Sequence, residues 1–486
     1  MKIFDRNRRE DPEKRDRRRA GRNIAVVTVF FTALFFGLIG YYAYFIQFRA
    51  PGIIGSPYNP RLDKFADRVV RGSIVSADGK TLAETKTGDD GKEARHYPYD
   101  YLYVHSVGYS GKNGRSGLES LANFYLLSSH VNLIEKTVNE FQNKKNPGDS
   151  LVTTLRSDLQ ETASGAMGSN RGAVIAMEPD TGKVLCMVSQ PNFNANELDA
   201  RWQELTQDSD SKAALLNRAS QGLYPPGSTF KILTLLEYIR ENPDSWMNFT
   251  YNCTGTFKSD GYSIRCYHGE KHGEQTILQA FANSCNGAFA QIGESLDPVR
   301  FRELAESCFF NSALPYDLVS SKSLFSLNGD ASNWEKAQTA IGQGKTMMTP
   351  LLDCMITAAI ANGGTVMKPT LMDHMENAAG QAGKTFLPES EGSIMSAEEA
   401  SALTEFMTEV VKSGTGSAFR DASYSAAGKT GTAETGSDSA SHAWYVGFAP
   451  VEDPKIAVCV LVENGESGGR TAAPIARAVI DKYLQR

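Results

Sequence analysis

The sequence predicts an α/β protein of the α+β type, with a central antiparallel sheet flanked by helices, a short N-terminal region ahead of it and one membrane-spanning helix. Three observations lead there. Apolar runs of strand length form hairpins at both ends of the long C-terminal part, over residues 172–188 and 443–462, and helical patterns lie between them. Residues 24–46 form an uncharged apolar run of 23 residues. At 486 residues the chain is long enough for more than one domain, each with its own core.

The first 22 residues hold ten Lys or Arg against five Asp or Glu, and the remainder is net acidic at −11. No basic patch follows the N-terminus, which excludes a nucleic-acid partner from the expectations. As a helix the 24–46 run would reach about 34 Å, enough for a hydrocarbon core of about 30 Å. Tyr41, Tyr42 and Tyr44 gather toward one end, where an aromatic belt sits, and Arg15, Arg17, Arg18 and Arg19 precede the other. An uncleaved single-pass anchor is expected, with residues 1–23 cytoplasmic and the rest of the chain outside the membrane. The run is too long for a signal peptide and lacks an Ala-x-Ala site.

Residues 47–66, with Pro51, Pro57 and Pro60, read as an extended linker. A modest region then runs to about residue 150, with Arg71-Gly72, the turn Ala77-Asp78-Gly79-Lys80, Gly117-Leu118-Glu119 and a helix over 118–127. Pro147-Gly148-Asp149 marks a boundary, so the division is 47–150 and 151–486. Beyond it we expect a strand at 151–155 and a helix at 159–167. Strands at 172–177 and 183–188 follow, joined by the turn Glu178-Pro179-Asp180-Thr181-Gly182. A helix over 276–294, another over Pro350–Ala361 stopped by Asn362-Gly363-Gly364, and a last one over 472–484 complete the layout.

Chemistry enters at Tyr224-Pro225-Pro226-Gly227-Ser228-Thr229-Phe230-Lys231. The helix breakers put a helix start at Ser228, and Lys231 then lies on the same face, three residues on. A lysine whose pKa is lowered by burial can take the serine proton, and the helix N-terminus offers free N–H groups to an oxyanion. Taken alone, Ser-x-x-Lys is more simply an N-cap serine and an exposed lysine. Ser209 to Lys212 is such a pair in a polar stretch. Two later elements raise Ser228 above it. Ser284-Cys285-Asn286 offers a hydroxyl to relay a proton and an amide to hold a lysine. Gly428-Lys429-Thr430-Gly431-Thr432 offers a fixed charge, two hydroxyls for a carboxylate, and a glycine that lets a peptide approach a strand. The N–H groups of Ser228 and Thr432 are the candidate oxyanion donors. Ser326-Leu327-Asn328 and Lys86-Thr87-Gly88 repeat the later patterns out of order or context. Gly344-Lys345-Thr346 and Gly428-Lys429-Thr430 resemble the end of a phosphate loop, but Thr339 and Ser423 stand where its first glycine is required.

Seven cysteines are present. Cys253 and Cys266 flank a short glycine-containing stretch and could pair outside the cell. His268 and His272 add candidate zinc ligands, but the Cys-x-x-Cys pairs of structural zinc sites are missing, so no metal is expected. Cys186, Cys285, Cys308, Cys354 and Cys459 read as core thiols.

The set Ser228-x-x-Lys231, Ser284-x-Asn286 and Lys429-Thr430-Gly431 is the combination of penicillin-binding proteins and class A β-lactamases. The chain resembles a class B, monofunctional transpeptidase penicillin-binding protein, and is most similar to the small PbpA-like members. Gly172 to Gly182, Ile341-Gly342-Gln343-Gly344 with Thr349-Pro350, Arg71-Gly72 and Gly117-Leu118-Glu119 extend the likeness. Ser76-Ala77-Asp78-Gly79 departs from the Asp-Arg-Asn-Gly of longer relatives, and Cys285 replaces the middle Asp, with its side chain expected to point away from the site.

The resemblance implies a serine β-lactamase/transpeptidase-like domain behind a short, dimerisation-like pedestal. It implies Ser228, Lys231, Ser284, Asn286 and Lys429 as catalytic residues, and Thr430, Gly431 and Thr432 as substrate-binding ones. The implied substrates are peptidoglycan stem peptides ending in D-Ala-D-Ala, and β-lactams would acylate Ser228. No cofactor is implied. A SEDS-type glycan polymerase is the implied membrane partner. The alternatives are a D,D-carboxypeptidase or serine β-lactamase on the same fold, or a non-catalytic cell-wall scaffold.

Overall fold

The computed structural model describes residues 12–49, 66–89, 91–207, 213–259, 261–436 and 440–485. The expected linker and the Ser209 to Lys212 pair fall mostly outside these residues. The chain forms two compact units, residues 1–61 and 62–486. In the first, helix α1 (Pro12–Tyr44) continues into a π-type turn over Phe45–Arg49, and none of its residues is buried. Its mean hydropathy reaches 2.2. An apolar helix with no protein cover is what a bilayer accommodates, because all its backbone groups are paired internally.

Past a short strand at Val69–Val70, the second unit carries β1 (Ile74–Val75), β2 (Thr81–Thr87) and β3 (Glu93–His96), then the helices Gly117–Leu121, Asn123–Leu126 and Leu133–Phe141, and β4 (Ser150–Thr153). Helix α2 (Ser157–Met167) follows, then β5 (Gly172–Met177), β6 (Val184–Gln190) and α3 (Lys231–Glu241). The helical pattern over 276–294 is in fact two helices, α4 (Ile277–Ala282) and α5 (Asn286–Ser295). Past two further helices, Pro298–Ser307 and Asn333–Ala340, lie α6 (Pro350–Ala361), β7 (Met372–Glu376), β8 (Ala382–Thr385) and α7 (Ala397–Lys412). Strands β9 (Ala427–Ala433), β10 (His442–Ala449) and β11 (Ile456–Val462) and helix α8 (Ala473–Leu484) end the chain.

The central sheet has the order β6-β5-β11-β10-β9, antiparallel throughout. β5 and β11 are apolar at every position because both faces are covered. Val174, Ala176, Val458 and Val460 meet Leu159, Ala163, Val479 and Ile480 of α2 and α8 on one side. Ala173, Ile175, Cys459 and Leu461 join the other core, with Leu351, Met355 and Ala359 of α6. Helix α6 is buried from Pro350 to Ile360, as a helix apolar on all sides must be. β9 forms the sheet edge, and that edge carries the Lys429 segment.

The second sheet, β8-β7-β4-β1-β2-β3, joins strands from before residue 150 to strands from after residue 370. The departure at Ser76-Ala77-Asp78-Gly79 has a local role: the Asp78 carboxylate accepts from the Ser157 N–H at 3.0 Å, satisfying a free donor at the start of α2. Alongside, Glu119 is fully buried between two arginines. Its carboxylate lies 2.7 Å from Arg71 Nη2 and 2.6 Å from Arg95 Nε, and Tyr97 donates to it at 3.3 Å. Burial pushes Glu119 toward the neutral acid, but the two guanidiniums outweigh it and hold the pKa below the ordinary carboxylate value. Removing one member of such a group strands the others as buried charge. Glu119→Ala is therefore expected to cost about 3–5 kcal/mol, read as a lower midpoint in denaturant unfolding of the detergent-solubilised chain.

Candidate active site

The Ser228 turn is forced by its neighbours. Gly227 takes φ +56°, and its N–H donates to Gly342 O at 2.9 Å. Gly342 sits so close that a Cβ there would lie 2.0 Å from Gly227 O. Residues Gly227–Phe230 form a 3-10 turn that runs into α3, so the predicted helix start is present with a tighter first turn. Trp444 on β10 donates from Nε1 to Pro225 O at 3.1 Å and ties the turn to the central sheet. Phe230 locks it from below against Phe301, Phe310 and Phe325. Ser228 itself retains 9% exposure at the surface of this buried segment.

One 3-10 turn later, Lys231 is wholly buried. Its Nζ donates to Ser284 O at 2.7 Å and to Asn286 Oδ1 at 2.8 Å, and lies 3.4 Å from Ser284 Oγ. Lys429, also fully buried, reaches the same hydroxyl from β9, with Nζ 2.8 Å from Ser284 Oγ and 3.0 Å from Thr430 O. The Phe289 ring lies under Lys231 and the Phe281 ring under Lys429, each 5.5 Å from the ammonium to the ring centre. The break between α4 and α5 makes this convergence. Ser284 adopts φ +55°, a left-handed conformation unusual for a residue with a Cβ, and ends α4. Cys285 then caps α5, accepting from the Ala288 N–H at 3.5 Å. A continuous helix would have carried Ser284 away from the lysines.

β9 completes the site. Gly227's missing Cβ faces Thr432 O, which places the Thr432 carbonyl, and with it the Thr432 N–H, on the open edge beside the Ser228 turn. Gly431 leaves room at Pro226 O, where a Cβ would come within 3.1 Å. Thr430 Oγ1 lies 2.5 Å from Thr415 Oγ1. The sequence reading missed Thr415. Its setting, Ser413-Gly414-Thr415-Gly416, carries the signal: Gly414 must be glycine because a Cβ there would lie 2.2 Å from Ala282 O.

Burial lowers the pKa of Lys231 to about 8, while the nearby Cys285 and Cys266 act in the opposite sense. Burial and the charge of Lys231 together push Lys429 well below the ordinary lysine value. The pair therefore resists carrying two protons, which suits a site that must accept one from a serine.

Cys253 and Cys266 are free thiols with sulfurs 3.6 Å apart. Cys285 is buried as expected, but it is no isolated core thiol: its sulfur lies 3.8 Å from that of Cys266. His272 Nδ1 lies 3.3 Å from Cys253 Sγ. The out-of-context motifs stay outside the site. Lys86 is exposed beside Glu84 and His96, and Asn328 accepts from Arg302.

Residues 172–481 match the penicillin binding protein transpeptidase domain, and residues 71–151 match the penicillin binding protein A dimerisation domain. The chain belongs to the penicillin-binding proteins, in the class B transpeptidase branch. It is 33% identical over 476 residues to peptidoglycan D,D-transpeptidase PbpA of Mycolicibacterium smegmatis, covering 90% of this chain and 94% of that protein. It is 29% identical to MrdA of Acinetobacter baumannii, over 80% of this chain and 66% of that one. Its fold matches penicillin-binding protein A of M. tuberculosis, solved as a ceftriaxone acyl-enzyme, with a TM-score of 0.78 and 31% identity, over 87% of this chain and 100% of that structure.

The Gly227 geometry gives a test. Gly227→Ala would hold an alanine at φ +56° with its Cβ 2.7 Å from Thr432 O, so the turn and β9 must separate. A shift of about 1 Å at a reacting group costs about 100-fold, and a loss of that order is expected in the rate of labelling by a fluorescent penicillin.

Proposed function

We propose that this chain is a membrane-anchored peptidoglycan D,D-transpeptidase that cross-links stem peptides ending in D-Ala-D-Ala through an acyl-enzyme on Ser228, and that β-lactams inhibit it by acylating the same serine. The observation that carries the reading is the hydrogen-bonded path Lys231–Ser284–Lys429, one short turn beyond Ser228, which keeps 9% exposure. Ser228 Oγ adds to the carbonyl carbon of the penultimate D-Ala, and its proton passes to neutral Lys231. The N–H groups of Ser228 and Thr432 hold the resulting oxyanion. As the C–N bond breaks, Ser284 gives its proton to the departing D-Ala amine and regains one from the lysine pair. An amine of a neighbouring stem then attacks the ester, returns a proton along the same path, and frees Ser228. One amide is exchanged for another.

Asn286 positions Lys231 through its side-chain oxygen. Thr430, Thr432 and Lys429 bind the terminal carboxylate, and Gly431 lets the substrate backbone lie along β9. Thr415 joins them through Thr430. A β-lactam delivers its acyl group to the same serine, but its leaving nitrogen stays tethered in the opened ring, so the adduct persists. In this reading residues 1–23 are cytoplasmic, 24–46 span the membrane, 47–150 form the pedestal and 151–486 the transpeptidase domain outside. The excess of Lys and Arg before α1 supports that orientation. An uncovered α1 supports docking of a polytopic glycan polymerase of the SEDS type within the bilayer.

Intact-mass spectrometry after incubation with benzylpenicillin is expected to show one persistent adduct on the wild type and none on Ser228→Ala. Drug hydrolysed without an adduct would instead identify a β-lactamase. The base form of Lys231 is neutral, so acylation is expected to rise as pH increases through about 8 and then level off. Burial sets this midpoint, and Cys285 and Cys266 bear on it in the opposite sense. Stopped-flow acylation across about pH 6 to about pH 9 checks it, and a flat profile would remove Lys231 as the base.

A further inference from the structure

The pedestal helix Leu133–Phe141 is built inside out. Its apolar residues Leu133, Ile134, Val138 and Phe141 recur at the spacing of one helical face. In a surface helix that face normally turns to the core. Here it turns to the outside. Leu133 is 78% exposed, Ile134 79%, Val138 46% and Phe141 94%, and no residue of the helix is buried. In the second unit, no other helix or strand among the described residues exposes more than one large apolar side chain. The polar side holds the helix to the protein. Asn139 Nδ2 donates to Asn146 Oδ1 at 3.1 Å, and Lys136, Glu140 and Asn143 line a groove with Arg68 and Gly383. Nine residues make a marginal helix, and most helices draw their stability from packing an apolar face. The Asn132 side chain caps this one, accepting from the Glu135 N–H at 2.8 Å, but the packing is missing.

We propose that the helix Leu133–Phe141 lies on the surface of the lipid bilayer that anchors the chain, with Leu133, Ile134, Val138 and Phe141 inserted at the boundary between headgroups and acyl chains. Three observations favour lipid over a protein partner. The first is position. Lys145, four residues past Phe141, donates from Nζ to Ala66 O at 2.8 Å, and Val69 pairs with Asn146. The helix therefore stands at the point where the chain coming from α1 enters the second unit.

The second is the tether. Sixteen residues, 50–65, separate Arg49 from Ala66, and a chain of that length spans at most about 55 Å. A short tether supplies an effective concentration on the order of millimolar, so a contact too weak to hold a free protein is occupied when the same chain is anchored. The third is size. Nine residues rise about 13.5 Å on a cylinder about 10–12 Å across. That face is far smaller than the about 800 Å² per partner of a specific protein interface. A convex ridge of four side chains suits a fluid surface, which needs no complementary pocket. An interfacial helix of this kind buries its apolar face about 5–10 Å deep. Glu135 and Glu140 offset Lys136 and Lys144, so apolar insertion drives the contact and attraction to anionic headgroups does not. The contact restrains the pedestal at the end of its tether. It rests on α1 being an anchor and on nothing in the chemistry at Ser228.

The test uses the full chain in phosphatidylcholine vesicles, carrying a nitroxide label introduced by Ile134→Cys, Phe141→Cys or Glu140→Cys. The seven native cysteines are buried, and wild type treated in the same way supplies the blank. Microwave power saturation with oxygen, which concentrates in lipid, and with a water-soluble nickel chelate reads the depth of each label. At positions 134 and 141 access to oxygen is expected to exceed access to nickel severalfold, and at position 140 the order is expected to reverse. Nickel access at 134 and 141 equal to that at 140 would overturn the proposal. Protection of 134 and 141 from both reagents would also overturn it and would identify a second copy or another protein as the cover. Adding phosphatidylglycerol or raising the salt is expected to leave the ratios unchanged, and lipid access seen only with phosphatidylglycerol at low salt would overturn apolar insertion as the cause. Benzylpenicillin acylation of the labelled chains is expected to match the wild type. A chain that acylates without lipid contact would refute the docking alone, and one that docks without acylating would count against the Ser228 reading alone.

Discussion

Two buried lysines share one serine hydroxyl, and most of the architecture follows from making that tolerable. An ammonium taken out of water loses several kcal/mol of solvation unless other groups replace it. Here the replacements are neutral. Ser284 O and Asn286 Oδ1 receive Lys231, Thr430 O receives Lys429, and Phe281 and Phe289 place their ring faces beneath the two charges. Among the described residues no carboxylate pairs with either lysine. A carboxylate would have stabilised the charged forms and raised both pKa values. Its absence leaves Lys231 near 8, where it can exchange a proton with serine.

Those acceptors come from separate parts of the chain, which explains the topology. Lys231 belongs to α3, Ser284 to the α4–α5 break, and Lys429 to an edge strand. Only a sheet assembled from both ends of the domain puts β9 beside a turn some two hundred residues earlier. An edge strand is usually a hazard because its unpaired groups recruit other chains. In this protein the open edge faces the Ser228 turn, and those same groups are available to an extended peptide. Gly227 and Gly342 permit the close approach, and Trp444 fixes it by bonding to Pro225 O.

The sequence revealed what depends on local pattern and concealed what depends on distant partners. β5, β11 and α6 were legible to within a residue or two because full burial leaves unbroken apolar runs, and because Thr349-Pro350 and Asn362-Gly363 punctuate α6. The site residues were legible as short motifs in the right order. The break at Ser284 was not, since a single serine at φ +55° has no composition signal and apolar helical patterns run on either side of Asn283-Ser284-Cys285-Asn286-Gly287. Nor was the pairing of β1 with β4, which joins Ile74 to Leu151 across the presumed domain boundary. Thr415 was missed because its partner Thr430 is adjacent only in space.

The Ser284-Cys285-Asn286 triplet now looks two-sided. Its first and third residues face the lysines, and its middle residue faces the thiol cluster, so the left-handed backbone at Ser284 is held from both directions. Strain of this kind persists only where the surroundings over-determine it. Cys285 and Cys266 also bear on Lys231, in the sense opposite to burial, so the triplet that presents Ser284 to the lysines also links the thiol cluster behind it to the buried base.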